Sequence, residues 1–300
     1  MKATTLSLRA CGAVFIIVLA LVASYTSAEP KFSDWSAAVN LGAVVNSAFA
    51  DAGPALSKDG RSLYFFSGRP GLGGTDIWVS ERESENEEWG VPQNIGPIVN
   101  STAPELHPSL SRDGHWLFFT RGGLGARNIW VSYREHVHDN FDWELPVPVG
   151  PGINTSADEM DASFFENDDT GLPQLFFARG DDIYVSSLLP DGTFGTGMPV
   201  SELNGATSER GLSVRFDGLE AFFFSDRSGL GPNDLFTTTR KTVLDPWSVP
   251  ANLGALVNSV GVDGEPDIAS DRETLYFNSN RAGTFGGLDL YMATRKKGSR

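Results

Sequence analysis

The chain of 300 residues carries 38 acidic and 23 basic side chains, a formal net charge of −15. So acidic a surface excludes nucleic acid and anionic lipid as favourable partners. With a single cysteine, Cys11, a disulfide framework is excluded as well.

The first element in chain order reads as an export signal. Lys2 and Arg9 form a basic start, residues 14–22 (VFIIVLALV) an apolar run, and Thr26-Ser27-Ala28 a small-residue cleavage site. The run is too short for a comfortable bilayer span, and Cys11 precedes it, where a lipid-bearing cysteine would follow. The expected organisation is a signal peptide, 1–28, and one domain, 29–300, in the periplasm or secreted, with no membrane insertion after cleavage. The mature chain keeps 38 acidic and 21 basic residues and loses its cysteine, so a cysteine nucleophile is also excluded.

From residue 54 a unit of about fifty residues recurs. The first copy contains Pro54 to Gly60 (PALSKDG), Leu63 to Phe66, Asp76 to Val79 (DIWV) and 89–101 (WGVPQNIGPIVNS). The second has Pro108 to Gly114, Leu117 to Phe119, Asn128 to Val131 and 143–155. The third is degenerate: Asn167-Asp168-Asp169-Thr170-Gly171 replaces the Asp-Gly turn, and Phe194 stands in the place of tryptophan. The fourth has Asp217-Gly218, Phe222 to Phe224, Asp234 to Phe236 and 247–259; the fifth stops after Asp289-Leu290-Tyr291. Each copy supplies four short β-rich runs, the content of one propeller blade. Asp59-Gly60, Asp113-Gly114 and Asp217-Gly218 suit hairpin turns, because this dipeptide tolerates positive φ. The fourth run missing from the last copy lies at the other end of the chain: 35–47 (WSAAVNLGAVVNS) matches 247–259 (WSVPANLGALVNS). The expected fold is an all-β, five-bladed propeller of four-stranded antiparallel blades. Residues 33–42 close its last blade beside 289–295, removing two exposed strand edges.

The pattern P-x-L-S-x-D-G-x-x-L-Y-F-x-S-x-R-x-G, then G-x-D-I-W-V-S-x-R, then W-x-x-P-x-N-L-G-x-x-V-N-S resembles the WD-repeat-like propeller repeat of the TolB type, over residues 33–295. That resemblance implies an exported propeller, a stand-alone member or a module of an envelope complex, and leaves the function open.

One position is acidic in every copy: Asp51, Glu105, Glu159, Glu209 and Asp263. It falls just ahead of the expected innermost strand, which places five carboxylates around one mouth of the channel. Bare neighbours about 7 Å apart would repel by roughly 2 kcal/mol per pair at an effective dielectric near 20. Arg69, Arg121, Arg179, Arg227 and Arg281 recur after the second strand on the same face, and charge-assisted hydrogen bonds between the two sets are expected. These ten residues are candidates for ligand binding; none is assigned a catalytic role. Two acidic clusters break the repeat: Asp158 and Asp161 beside Glu159, and Glu265 and Asp267 beyond Asp263, an alternation that aims three carboxylates to one side of an extended strand. Oxygen-rich sets of this kind suit calcium, although no cofactor is required by any motif.

The leading expectation is a monomeric, non-catalytic propeller that binds a protein or glycan on its funnel face. The alternative is a glycoside hydrolase-like enzyme using channel carboxylates, since such hydrolases pair a carboxylic acid with a carboxylate. Carboxylates that repeat identically fit the alternative poorly, because catalysis calls for unequal groups.

Overall fold

The computed structural model describes residues 32–166 and 173–298. The expected signal peptide and the Asn167–Gly171 segment lie outside the described residues. Among these residues every regular element is a strand, and the twenty strands form five four-stranded antiparallel sheets. Blade 5 takes its outer strand from the start of the chain, β1 (Val39–Asn40). Blade 1 comprises β2 (Asp51–Leu56), β3 (Ser62–Ser67), β4 (Asp76–Glu81) and β5 (Gln93–Asn94). Blade 2 comprises β6 (Glu105–Leu110), β7 (Trp116–Arg121), β8 (Asn128–Tyr133) and β9 (Val147–Pro148). Blade 3 comprises β10 (Glu159–Phe165), β11 (Gln174–Arg179), β12 (Asp182–Ser187) and β13 (Met198–Pro199). Blade 4 comprises β14 (Glu209–Val214), β15 (Glu220–Ser225), β16 (Asp234–Thr239) and β17 (Ala251–Asn252), and the rest of blade 5 is β18 (Asp263–Ile268), β19 (Thr274–Ser279) and β20 (Asp289–Thr294).

The second strand of each blade is a continuous apolar run, such as Leu63 to Phe66 or Leu175 to Ala178, and it is buried because a blade in a ring is covered on both faces. The core consequently lies between blades. Tyr64 and Ile77 of blade 1 pack with Leu117 and Phe119 of blade 2, and Val45 with Leu63, Phe65, Tyr276 and Leu290 joins blade 1 to blade 5. The ring closes between the expected segments: Val39 faces Met292 and Asn40 faces Tyr291. The Ser36 amide donates to Thr294 O at 2.6 Å, the Leu41 amide donates to Leu290 O at 3.0 Å, and the Asn46 side chain bonds both backbone groups of Leu290.

All five innermost strands slip register against their neighbours at one place, between Ala52 and Ala55, Leu106 and Ser109, Met160 and Ser163, Arg210 and Ser213, and Gly264 and Asp267. The slip is a β-bulge, a local kink that re-aims a side chain. Its third-position residue is left-handed in every blade: Gly53 (φ 62°), His107 (48°), Asp161 (55°), Gly211 (62°) and Glu265 (49°).

Candidate functional site

The five carboxylates at the starts of the innermost strands are fully buried. Each meets the arginine of its own blade, at 2.7 Å for Asp51–Arg69, 2.8 Å for Glu105–Arg121, 2.9 Å for Glu159–Arg179, 3.0 Å for Glu209–Arg227 and 2.6 Å for Asp263–Arg281. A backbone amide four residues upstream donates to each carboxylate as well, from Ser47, Ser101, Thr155, Gly205 or Ser259. The same guanidiniums donate to Val45 O, Val99 O, Ile153 O, Leu203 O and Val257 O in the segments linking one blade to the next. Aromatic rings back every guanidinium, for example Trp130 at 4.6 Å from Arg121 and Tyr291 at 4.8 Å from Arg281. The carboxylates are thus fully engaged in fastening each blade to the preceding link.

Two residues further along, the channel is unlike from blade to blade. In blade 1 Gly53 lies under the Phe66 ring, and in blade 4 Gly211 lies under Phe224: a Cβ at either glycine would meet the ring at 2.7–2.8 Å. The other three blades hold small or polar residues in the place of that phenylalanine, Thr120, Ala178 and Asn278, and carry His107, Asp161 and Glu265 at the bulge. These three converge. His107 Nδ1 lies 2.9 Å from Asp161 Oδ1, and Nε2 lies 3.0 Å from Glu265 Oε1. The Phe66 ring stands edge-on to the imidazole at 5.1 Å between centroids. The contacts are close but incompletely directed: Asp161 Oδ1 and Glu265 Oε2 are buried without a hydrogen-bond donor, as are Arg127 Nε and Arg210 Nε without an acceptor.

The site's electrostatics follow from this placement. Burial opposes the charge on His107, but Asp161 and Glu265 outweigh it and push the imidazolium up to about 10. Burial likewise opposes ionisation of Asp161, yet His107, with Arg210 and Arg127 beyond, holds its carboxyl below the usual range. Asp267 is pushed up to about 6 by burial, against hydrogen bonds from the Leu56 amide and Ser213. A cavity of about 340 Å³ runs from the bulge residues toward the Asp-Gly hairpin face. His107, Asp161, Glu265 and Asp267 line it, together with Lys58 and Phe216 toward the hairpins.

Of the residues expected to form a calcium-type set, the structure brings together Asp161 and Glu265 and places Asp267 in the same cavity. Asp158 lies apart, accepting from the backbone amides of Gly125 and Arg127. Asp263, Glu265 and Asp267 do not share one side of a strand as the alternation suggests, because the bulge after Gly264 breaks it. Asp263 turns to Arg281, Glu265 to His107, and Asp267 to blades 1 and 4. His107 escapes sequence reasoning altogether. Its signal is the column two residues past the repeated acid, which reads Gly53, His107, Asp161, Gly211, Glu265.

No family model matches the chain, and neither does any curated protein. Solved structures do match it. A thermostable family-43 glycoside hydrolase is 14% identical, with a TM-score of 0.57 over 84% of this chain and 91% of its own. An α-L-arabinofuranosidase from Podospora anserina, solved with cellotriose, is 12% identical, with a TM-score of 0.55 over 89% and 98%. An endo-arabinase from Bacteroides thetaiotaomicron is 14% identical, with a TM-score of 0.56 over 87% and 97%. At these identities the likeness establishes the shared fold.

These matches correct two expectations. The resemblance to the TolB-type repeat finds no support: no family model matches, and the solved structures named above are glycoside hydrolases. The residues that carried it, the Asp-Gly hairpin, the apolar second strand and the arginine with its aromatic backing, are ones that shape the blade itself. The expectation of a non-catalytic binding module is corrected toward its alternative, which the glycoside hydrolases among the matching structures favour. The physical objection to an enzyme, identical carboxylates, applies only to the strand starts; the bulge residues are unequal.

Proposed function

We propose that the protein is a carbohydrate-active enzyme that hydrolyses glycosidic bonds at the inner end of the channel cavity. The observation that carries this reading is the set of unequal carboxyl groups gathered there. Asp161 and Glu265 are ion-paired to one imidazole, whereas Asp267 makes no ion pair among the described residues. Glycoside hydrolysis needs that inequality, with one carboxyl group protonating the leaving oxygen and an ionised partner attacking the anomeric carbon or activating water. Asp267 is the proton donor in this scheme, Asp161 or Glu265 the ionised partner, and His107 positions both. The hydrolase folds that match, among them proteins solved with cellotriose, xylotriose and galactose, support a glycan substrate. Export, expected from residues 1–28, would bring the enzyme to polysaccharide outside the cytoplasm.

The test is hydrolysis of arabinan, xylan, galactan and their aryl glycosides by the purified mature chain. Asp161→Asn, Glu265→Gln and Asp267→Asn should each lower kcat/KM on polysaccharide by about 10²–10⁴-fold. An aryl glycoside with a good leaving group needs no proton and should rescue Asp267→Asn selectively. Failure of the wild-type chain on every substrate, or full activity in all three variants, would sink the proposal.

A further inference from the structure

We infer that His107, Asp161 and Glu265 form a binding site for a divalent transition cation of the Zn²⁺ or Mn²⁺ class. The three side chains come from blades 2, 3 and 5, and each offers a ligand atom within 4.8 Å of the others. One imidazole nitrogen with two carboxylates is a donor set that suits these metals, whereas calcium takes oxygen ligands alone.

Two further observations point the same way. Asp161, its side chain only 3% exposed, has Oδ1 2.9 Å from His107 Nδ1 but receives no directed hydrogen bond there, and Glu265 Oε2 is buried without a hydrogen-bond donor. A buried acceptor left unpaired costs about 1–3 kcal/mol, and a bound cation would recover it. The second is backbone strain: only four described non-glycine residues are left-handed, and three of them are His107, Asp161 and Glu265. Each such conformation costs about 1–3 kcal/mol and persists where the side chain is needed. Blades 1 and 4 meet the same bulge with glycine, so the bulge itself does not call for these three residues.

Without a cation the two ring nitrogens face different carboxylates, Nδ1 toward Asp161 and Nε2 toward Glu265. Binding releases a proton from the imidazolium, and both carboxylates turn toward one ring nitrogen until the ligand atoms stand about 3.4 Å apart, as tetrahedral bonds near 2.1 Å require. Three protein ligands then leave a position open for water or a substrate oxygen. The inference shares its three residues with the glycosidic reading but is tested separately from it: cation binding is measured without any sugar.

The test is calorimetric titration of chelator-stripped mature protein with Zn²⁺, Mn²⁺ and Ca²⁺ in turn. We expect one Zn²⁺ per chain and much weaker Ca²⁺ binding. In His107→Gly and Glu265→Gly, affinity for Zn²⁺ should fall at least about tenfold, the lower bound set by loss of mere supporting contacts. Glycine is the residue blades 1 and 4 already carry at this place, so both variants should fold, as a thermal melt would verify. His136→Ala removes the exposed His136–Asp142 pair, a histidine–carboxylate contact elsewhere in the molecule, and should leave Zn²⁺ binding unchanged. No uptake by the wild-type chain, equal uptake by wild type and His107→Gly, or preference for Ca²⁺ would each overturn the inference.

Discussion

Two tiers of the channel, two residues apart on the same five strands, follow opposite rules. At the strand starts every blade holds a buried carboxylate, its arginine and an amide from the preceding link. At the bulges the backbone repeats but the side chains do not: two glycines under phenylalanine rings, and a histidine between two acids. The first tier solves a problem common to all blades, fastening each to its neighbour, and one solution serves five times. The second tier has no common task, so its side chains are free to differ, and chemistry that needs unequal groups is found there.

The largest expected effect tests the uniformity of the first tier. Arg121→Ala leaves Glu105 buried and uncompensated and should cost about 3–5 kcal/mol in denaturant unfolding. Arg69→Ala, Arg179→Ala, Arg227→Ala and Arg281→Ala should fall in the same range. A blade that tolerates the change with little loss would break the five-fold equivalence. Next in size is Gly53→Ala, whose Cβ would lie 2.7 Å from the Phe66 ring at a φ of 62°; overpacking of this kind costs about 1–3 kcal/mol. Pairing it with Phe66→Leu should recover part of the loss, and failure to do so would assign the cost to the backbone alone.

The first tier was legible in the sequence because it repeats: stacking the copies aligned Asp51 with Glu105, Glu159, Glu209 and Asp263, and every arginine with them. Ring closure was legible for the same reason, from the match of 35–47 to 247–259. The second tier was half legible. Asp161 and Glu265 stood out as excess acids, but strand alternation misdirected the reading of Glu265 and Asp267, since a bulge that adds a residue reverses the side on which later side chains fall. His107 gave no local signal, and its role emerges only from the column shared with two glycines and two acids. The TolB-type resemblance rested on residues of the first kind, which specify a blade without specifying what the channel does.

A smaller effect should distinguish the tiers by pH. The His107 imidazolium is held up to about 10, above the unfolded value near 6.5, with Asp161 and Glu265 against it and Arg127, Arg210 and Asp267 around them. A group raised on folding contributes stability fully below its unfolded pKa and loses it as pH rises through the folded one. Between pH 7 and pH 10.5, in chelator, the melting temperature should therefore fall by about 5 °C, if the charged contacts contribute about 2 kcal/mol. In His107→Gly that part of the decline should be absent. Parallel curves for the two proteins would show that the imidazole carries no charge in the folded state.

The smallest expected change in stability is that of His107→Gly itself at neutral pH. It gives up about 2 kcal/mol of charged contacts and recovers about 1 kcal/mol of left-handed strain. The net loss should be only about 1 kcal/mol, because Arg210 and Arg127 still face Asp161, and so lie well below that of Arg121→Ala on the adjacent strand of the same blade. Hydrolysis and cation binding should nevertheless both fall, because Asp161 and Glu265 lose the group that holds them together. If His107→Gly instead proved as damaging to folding as Arg121→Ala, the bulge tier would be a second set of fasteners, and its unequal side chains would need a structural explanation.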